Sequence, residues 1–248
     1  MMKSLLCEID ALFLDMNSTF MFEEDNFGDD QDFYATYREI GGDLLQQDMV
    51  NAIIRATYHG MEGLYQDPAY YEQFPSVLQS IPAFSSKTKN LSDVELERLT
   101  DVFAIHELGT IPDTYASFVI KLSYHFTLAL VANIWAPKHH WVAEFKRVNL
   151  HTAFEALIFS SDYSFMKPSP KIYQQGLSAC NTRDTSRAAF IGDSLTYDMQ
   201  GAKELGFQTI WINEEAFLNE QKPDAVDVVI PNLLCLKECL LLINESTS

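Results

Sequence analysis

Positive charge is scarce in this 248-residue chain. Lys and Arg number 17 against 35 Asp and Glu, a formal net charge of −18. That balance argues against nucleic acid or an anionic membrane surface as the main partner. It leaves room for a phosphorylated small molecule, because a local site can be positive on an acidic protein. Long apolar runs are missing too. None approaches the ~20 residues needed to cross a bilayer. Met1 to Glu8 is short and meets acidic residues early, unlike a secretory leader. The expectation is a cytoplasmic protein with no membrane partner. Cysteine is sparse: Cys7, Cys180, Cys235 and Cys239. The last two stand four apart in a helical pattern, with no Cys or His nearby in sequence to complete a zinc site. They read as buried thiols. Internal repeats and low-complexity tracts are absent as well.

What is present is a large apolar fraction, 47% of the residues, enough for a packed core. It comes in two textures. From about 22 to 110 the chain is rich in aromatics, acids and helix formers. The segment from Asp29 to Tyr65 has apolar residues at three- and four-residue intervals and no Pro. It predicts at least two amphipathic helices broken near Gly41-Gly42. Ser92 followed by Glu95 predicts a helix start with a capping box. The aromatics Phe33, Tyr34, Tyr37, Tyr65, Tyr70, Tyr71 and Phe74 are candidates for the core of this block.

Elsewhere short apolar runs alternate with helical patterns. Candidate strands are Ala11–Leu14, Thr127–Val131, Ala156–Phe159, Ala188–Ile191, Gln208–Ile212 and Asp227–Ile230. Helices are expected over Thr114–Tyr124, Trp141–Val148, Pro170–Ala179 and Thr196–Leu205. This pattern predicts an α/β fold, a Rossmann-like parallel sheet covered on both faces. The mostly α-helical block enters after the first strand. The expected division is a core of residues 1–20 and 111–248 and a helical cap of residues 21–110.

Open parallel sheets bind ligands at the carboxyl ends of their strands. Asp15 and Asn17 follow the first expected strand, in LFLDMNST. Ala132-Asn133 follows the second. Lys167 stands in the loop after the third, and GDSLTYD, with Asp193 and Asp198, follows the fourth. Right-handed crossovers would gather these loops at one edge. The chemistry that fits is attack by a carboxylate assisted by Mg²⁺, with Asp15 as nucleophile and Asp193 as a ligand of the hard cation. Lys167 would offset the repulsion between an anionic nucleophile and a phosphoryl group. Asp198 would orient Lys167 or support the metal from behind its ligands.

DMNST, FMKPSPKIY and IGDSLTYDMQGAKELGF together resemble the motifs of the haloacid dehalogenase (HAD) superfamily. The patterns matched are hhhDxDGT, KPxPxIY/F and hGDSxxxDhxGAxxxGh. LVAN, Leu130–Asn133, aligns with a further motif, hhh(S/T)N. The resemblance covers the first ~20 residues and most of 112–240, and the helical insertion resembles a C1-type cap. It implies a phosphatase acting on a small phosphorylated metabolite through an aspartyl-phosphate on Asp15. It implies Mg²⁺ held by Asp15, Asp193 and the backbone carbonyl at Asn17. Lys167 and the Ala132-Asn133 segment would bind the phosphate, and Asp198 is the second acidic residue of its motif.

Two departures bear on activity. Ala132 stands where a Ser or Thr hydroxyl is usual. Asn17 stands where an aspartic acid normally carries protons, and a carboxamide does not exchange a proton near neutral pH. Ser18 in place of glycine is expected to matter less. Two further readings therefore stand beside the phosphatase. One is a catalytically degenerate HAD protein that binds a phosphorylated ligand or a protein partner. The other is dehalogenation or phosphonate hydrolysis, the latter needing a cap lysine, for which Lys87 and Lys89 are the candidates. For substrate recognition the cap offers Arg38 and Arg55, with a surface ion pair as the plainer reading. His59 and His106 read as structural or surface residues, and His139-His140 as either lining the entrance or solvated.

Overall fold

The computed structural model describes residues 2–240. The short apolar runs become β1 (Ala11–Leu14), β2 (Thr127–Ala132), β3 (Ala156–Phe159), β4 (Ala188–Gly192), β5 (Gln208–Ile212) and β6 (Val228–Ile230). They form one parallel sheet in the order β3-β2-β1-β4-β5-β6. β1 is central and all four of its residues are buried. Leu12, for example, sits between Leu128 of β2 and Ala189 of β4. Burial on both faces is why these strands read as continuous apolar runs.

Helix α1 (Met2–Glu8) precedes β1. Between β1 and β2 come α2 (Phe33–Glu39), α3 (Gln47–Tyr65), α4 (Val77–Phe84), α5 (Asp93–Glu107) and α6 (Asp113–Ser123). Then α7 (His139–Arg147), α8 (Pro170–Ala179), α9 (Gly201–Glu204) and α10 (Glu214–Leu218) alternate with the remaining strands. The helical insertion leaves and returns through a narrow neck. Phe22 N–H donates to the Thr110 carbonyl at 2.9 Å, and Thr110 N–H donates back at 2.7 Å. The break near Gly41-Gly42 is present as the gap between α2 and α3.

Local chemistry accounts for three differences from the expected elements. The capping box at Ser92 is half formed. Ser92 Oγ accepts from Glu95 N–H at 3.3 Å, but the Glu95 carboxylate turns to the Tyr37 hydroxyl and, at 2.7 Å, to Arg98. A buried carboxylate gains more from two donors than from one exposed N–H. A complete box instead starts α4, where Ser76 and Gln79 bond reciprocally. The helix expected over Thr196–Leu205 begins as a wide π turn, Leu195–Gln200, in which Met199 N–H reaches back to the Ser194 carbonyl.

The insertion docks on the loop after β2. Trp135 of that loop lies 5.5 Å from the Tyr65 ring and 5.9 Å from those of Tyr58 and Phe74. Phe33, Tyr37 and Phe74 are buried as the core of this block; Tyr34, Tyr70 and Tyr71 are only half-buried. Glu107, at the end of α5, fixes the same loop. One of its oxygens accepts from Trp135 N–H at 2.6 Å and the other from Ala136 N–H at 2.9 Å. Burial and nearby Asp25 raise its carboxyl, while the two N–H donors pull it down. Glu107→Gln turns an amide NH₂ toward one of those donors. It is expected to lower stability by about 1–3 kcal/mol in denaturant titrations; an unchanged midpoint would show that the anchor is dispensable.

Cys239 is buried and Cys235 half-buried, and neither is in a disulfide. Among the described residues no helix is long and apolar enough to cross a membrane.

Candidate active site

The strand ends bring Asp15, Asn17, Asn133, Lys167, Asp193 and Asp198 to one cavity of about 290 Å³. Its centre is a buried ion triad. The Lys167 ammonium donates to Asp15 Oδ1 and, at 2.6 Å, to Asp198 Oδ1. Asp15, Lys167 and Asp198 are 6%, 2% and 1% exposed, so water screens these charges little. Burial pushes the Asp15 carboxyl up to about 8; Lys167 opposes that shift, and Asp198 and Asp193 add to it. Burial alone would lower the Lys167 ammonium, but the two carboxylates in contact outweigh it and hold it above its ordinary value. The contact itself is that of a charged pair. Asp193 is raised to about 6, by burial first and by Asp198 next.

Each member is held by its own segment. Asp15 follows β1, and its N–H donates to the Ile191 carbonyl of β4 at 2.9 Å. Lys167 is clamped by the Asn133 side chain. Asn133 Oδ1 accepts from Lys167 N–H at 2.9 Å, and Asn133 Nδ2 donates to the Lys167 carbonyl at 3.1 Å. Asp198 returns from the π turn so that its Oδ2 accepts from Ser194 N–H at 2.9 Å. Gly192 makes room for that return: a Cβ there would lie 2.4 Å from Asp198 Oδ2. Gly201 likewise lies against Tyr173 of α8, where a Cβ would meet the phenol oxygen at 2.5 Å. The Tyr173 hydroxyl donates to the Tyr197 carbonyl. The lysine segment and the GDSLTYD segment are therefore packed as one unit.

Asn17 and Ser18 show what the departures from the motif do. Asn17 Oδ1 is buried without a hydrogen-bond partner. Ser18 sits at φ 53°, in the left-handed region, with its hydroxyl donating to Glu24 at 2.8 Å. The glycine usual here would avoid a backbone cost on the order of 1 kcal/mol. Ala132 ends β2, is buried, and is not part of the cavity wall; its neighbour Asn133 is.

Five wall residues escaped the sequence reading: Glu24, Asp25, Tyr65, Ser194 and Tyr197. Burial lifts the Asp25 carboxyl to about 6, helped by Glu24 and Glu62. Tyr65 accepts a hydrogen bond from Asn133 Nδ2 at 3.2 Å. Tyr197 donates to the Tyr65 carbonyl at 3.1 Å. Tyr197 lies inside GDSLTYD, so its place was available from the motif. Tyr65 had no local signal, because helical periodicity marks a face but not what that face meets.

The donor set fits a hard cation. Asp15, Glu24, Asp25, Asp193 and Asp198 face one lysine in the cavity wall, and oxygens of Asp15, Asp193 and Asp198 lie within 4.8 Å of one another. Together with the orphaned Asn17 amide oxygen, this is oxygen chemistry suited to Mg²⁺.

Several residues weighed as candidates lie elsewhere. Arg38 donates to the Gly42 carbonyl, and Arg55 to the carbonyls of Asp29 and Gln31. Neither lines the cavity, and neither makes the surface ion pair that was the alternative. They tie down loops of the insertion. His106 is structural, bonded to Thr36 and the Asn26 carbonyl. His59 is exposed. His139 and His140 turn to Asp101 and do not line the entrance. Lys87 and Lys89 are also absent from the cavity wall. A larger hollow of about 500 Å³ lies around Asp10 and Tyr124, at the strands' amino-terminal end, away from these groups.

Comparison with known proteins identifies relatives of this chain. The family model described as haloacid dehalogenase-like hydrolase matches residues 106–212. The chain is 34% identical over 207 residues to a glyceraldehyde 3-phosphate phosphatase from Pyrococcus furiosus, covering 77% of this chain and 83% of that protein. Its fold resembles a HAD phosphatase from Thermococcus onnurineus, with a TM-score of 0.58 and 23% identity over 94% of this chain and 98% of that one. It also resembles a HAD hydrolase from Bacillus subtilis bound to magnesium, with a TM-score of 0.55 and 18% identity over 95% and 99% of the two chains.

Proposed function

The chain belongs to the haloacid dehalogenase-like hydrolases, and from that premise we propose that it is a Mg²⁺-dependent phosphatase of small phosphate monoesters. The observation that carries the reading is the buried Asp15–Lys167–Asp198 triad opening on the cavity beside Asp193. Asp15 attacks phosphorus in line with the departing alkoxide and becomes an aspartyl-phosphate. Water then cleaves that acyl phosphate. Lys167 offsets the charge on the nucleophile and on the phosphoryl oxygens. Asp198 and Asn133 position Lys167. Asp15, Asp193 and the Asn17 carbonyl are the groups to hold Mg²⁺, with Asp198 behind them. When bound, the ion supplies charge neutralisation of the transferring group. Asn17 orients but carries no proton, so the reading includes weakened acid–base help.

The helical insertion, residues 21–110, acts as the cap, contributing Tyr65 and the Glu24–Asp25 corner. That corner also selects substrate. Lys167 is the cavity's one cation among the described residues, and it is already paired. A second anionic group on the substrate would meet Glu24 and Asp25 with no partner. A neutral leaving group is favoured, as in the substrate that the Pyrococcus relative's name gives.

The test is hydrolysis of an aryl phosphate, a neutral alkyl phosphate and a carboxylate-bearing phosphate, with and without Mg²⁺. The expected order is aryl first and carboxylate-bearing last, all dependent on Mg²⁺. Equal, negligible rates for the parent and Asp15→Asn would overturn the assignment. The orphaned Asn17 and the methyl of Ala132 favour a second reading, a protein that binds a phosphorylated ligand without turnover. Ligand-dependent stabilisation with no hydrolysis would select it. With no lysine from the insertion in the cavity wall, phosphonate hydrolysis has no support.

A further inference from the structure

Asp101, on α5, faces His139 and His140, the first two residues of α7. His139 Nε2 lies 3.0 Å from Asp101 Oδ1, and His140 Nε2 lies 3.5 Å from the same oxygen. The two imidazole centroids are 4.1 Å apart. One donor atom from each of the three residues falls within a 4.8 Å span. A hydrogen-bonded pair would account for His139 and Asp101 alone. It does not account for His140, whose Nε2 is buried and stands 3.5 Å from that oxygen without hydrogen-bond geometry. Native folds rarely leave such an atom unsatisfied.

We propose that Asp101, His139 and His140 bind a divalent transition-metal ion, Zn²⁺ foremost, as a staple between the helical insertion and the α/β core. Bonds of ~2.0–2.1 Å at tetrahedral angles place ligand atoms ~3.3–3.4 Å apart. The observed 3.0 and 3.5 Å bracket that spacing. Two imidazoles and one carboxylate form a nitrogen-rich set, which suits Zn²⁺, Ni²⁺ or Cu²⁺ and not Mg²⁺. The site is thus chemically distinct from the all-oxygen cavity at the strand ends. His139 and Asp101 are partly exposed, so an ion can enter and a water can complete its coordination. The ion also meets the orphaned His140 nitrogen. Because α5 and α7 belong to different parts of the fold, occupancy ties the two together near the loop that Glu107 anchors.

The experiment uses the full chain with excess Mg²⁺ to occupy the oxygen site. Co²⁺ is added as a spectroscopic probe, and Zn²⁺ is followed by calorimetry and thermal melting. The expected result is tetrahedral Co²⁺ absorption, displaced by Zn²⁺, together with a Zn²⁺-dependent rise in Tm. His139→Ala and His140→Ala, separately, should weaken binding at least about tenfold. Asp193→Asn should leave it intact. No Co²⁺ absorption, or absorption unchanged in both His variants, overturns the proposal. So does loss of the signal in Asp193→Asn, which would place the ion in the cavity.

Discussion

Asn17→Asp is expected to raise turnover of a neutral alkyl phosphate by about 10²–10⁴-fold. An alkoxide is a poor leaving group unless a proton reaches it as the bond breaks. The Asn17 amide cannot deliver one, whereas an aspartic acid of nearly the same shape can. The same carboxylate then activates the water that opens the aspartyl-phosphate. The gain should shrink for aryl phosphates, whose leaving group needs no proton. Rates are compared at saturating Mg²⁺, because an added carboxylate also strengthens cation binding. In both backgrounds Asp15→Asn should remove turnover. If Asn17→Asp leaves alkyl and aryl rates unchanged, the proton comes from another group and Asn17 is not the weak point.

The second large effect concerns stability. Lys167→Met leaves Asp15 and Asp198 buried with no cation in contact. Breaking one partner out of such a cluster costs about 3–5 kcal/mol near neutral pH. The variant should also respond to pH in a defined sense. Burial already raises the Asp15 carboxyl to about 8 with the lysine in place, and removing the ammonium raises it further. A carboxyl raised in the folded state binds protons that the unfolded chain has released. Its neutral form is compatible with the fold at low pH, and stability falls as pH rises through the folded value. Lys167→Met should therefore fall further behind the parent as pH rises above about 8, where the parent's Asp15 carboxyl ionises and the variant's stays protonated, as read from denaturant midpoints. Mg²⁺ should recover part of the loss. A deficit independent of pH would mean that lost packing dominates and the buried charges do not.

Much of this was legible in the sequence, for physical reasons. Strands buried on both faces must be apolar throughout, so β1 and β3 have the limits their composition predicts. Asp15, Lys167, Asp193 and Asp198 follow strands of a parallel sheet, and topology alone gathers such positions. What stayed hidden depends on partners distant in sequence. Glu95 reads as a capping residue until Tyr37 is brought against it. Tyr65 reads as helix core until α3 is seen to end over the cavity. Asn133 reads as a phosphate-binding position, and only the structure shows its side chain clamping the Lys167 backbone. The π turn at Leu195–Gln200 has no signature in a 3.6-residue period, yet it lets Asp198 fold back onto Ser194.

The central place of β1 has a consequence in time. It is the first strand made, but both its neighbours come much later: Leu12 waits for Leu128 and then for Ala189. During synthesis this wholly apolar strand has no sheet to join until β2 emerges, about halfway along the chain. Such delayed, long-range pairing is slow and leaves sticky surface exposed in the interim. Asp15 stands at the end of that strand, and its own N–H is held by Ile191. In a refolding reaction, any turnover should return only after β4 has docked beside β1.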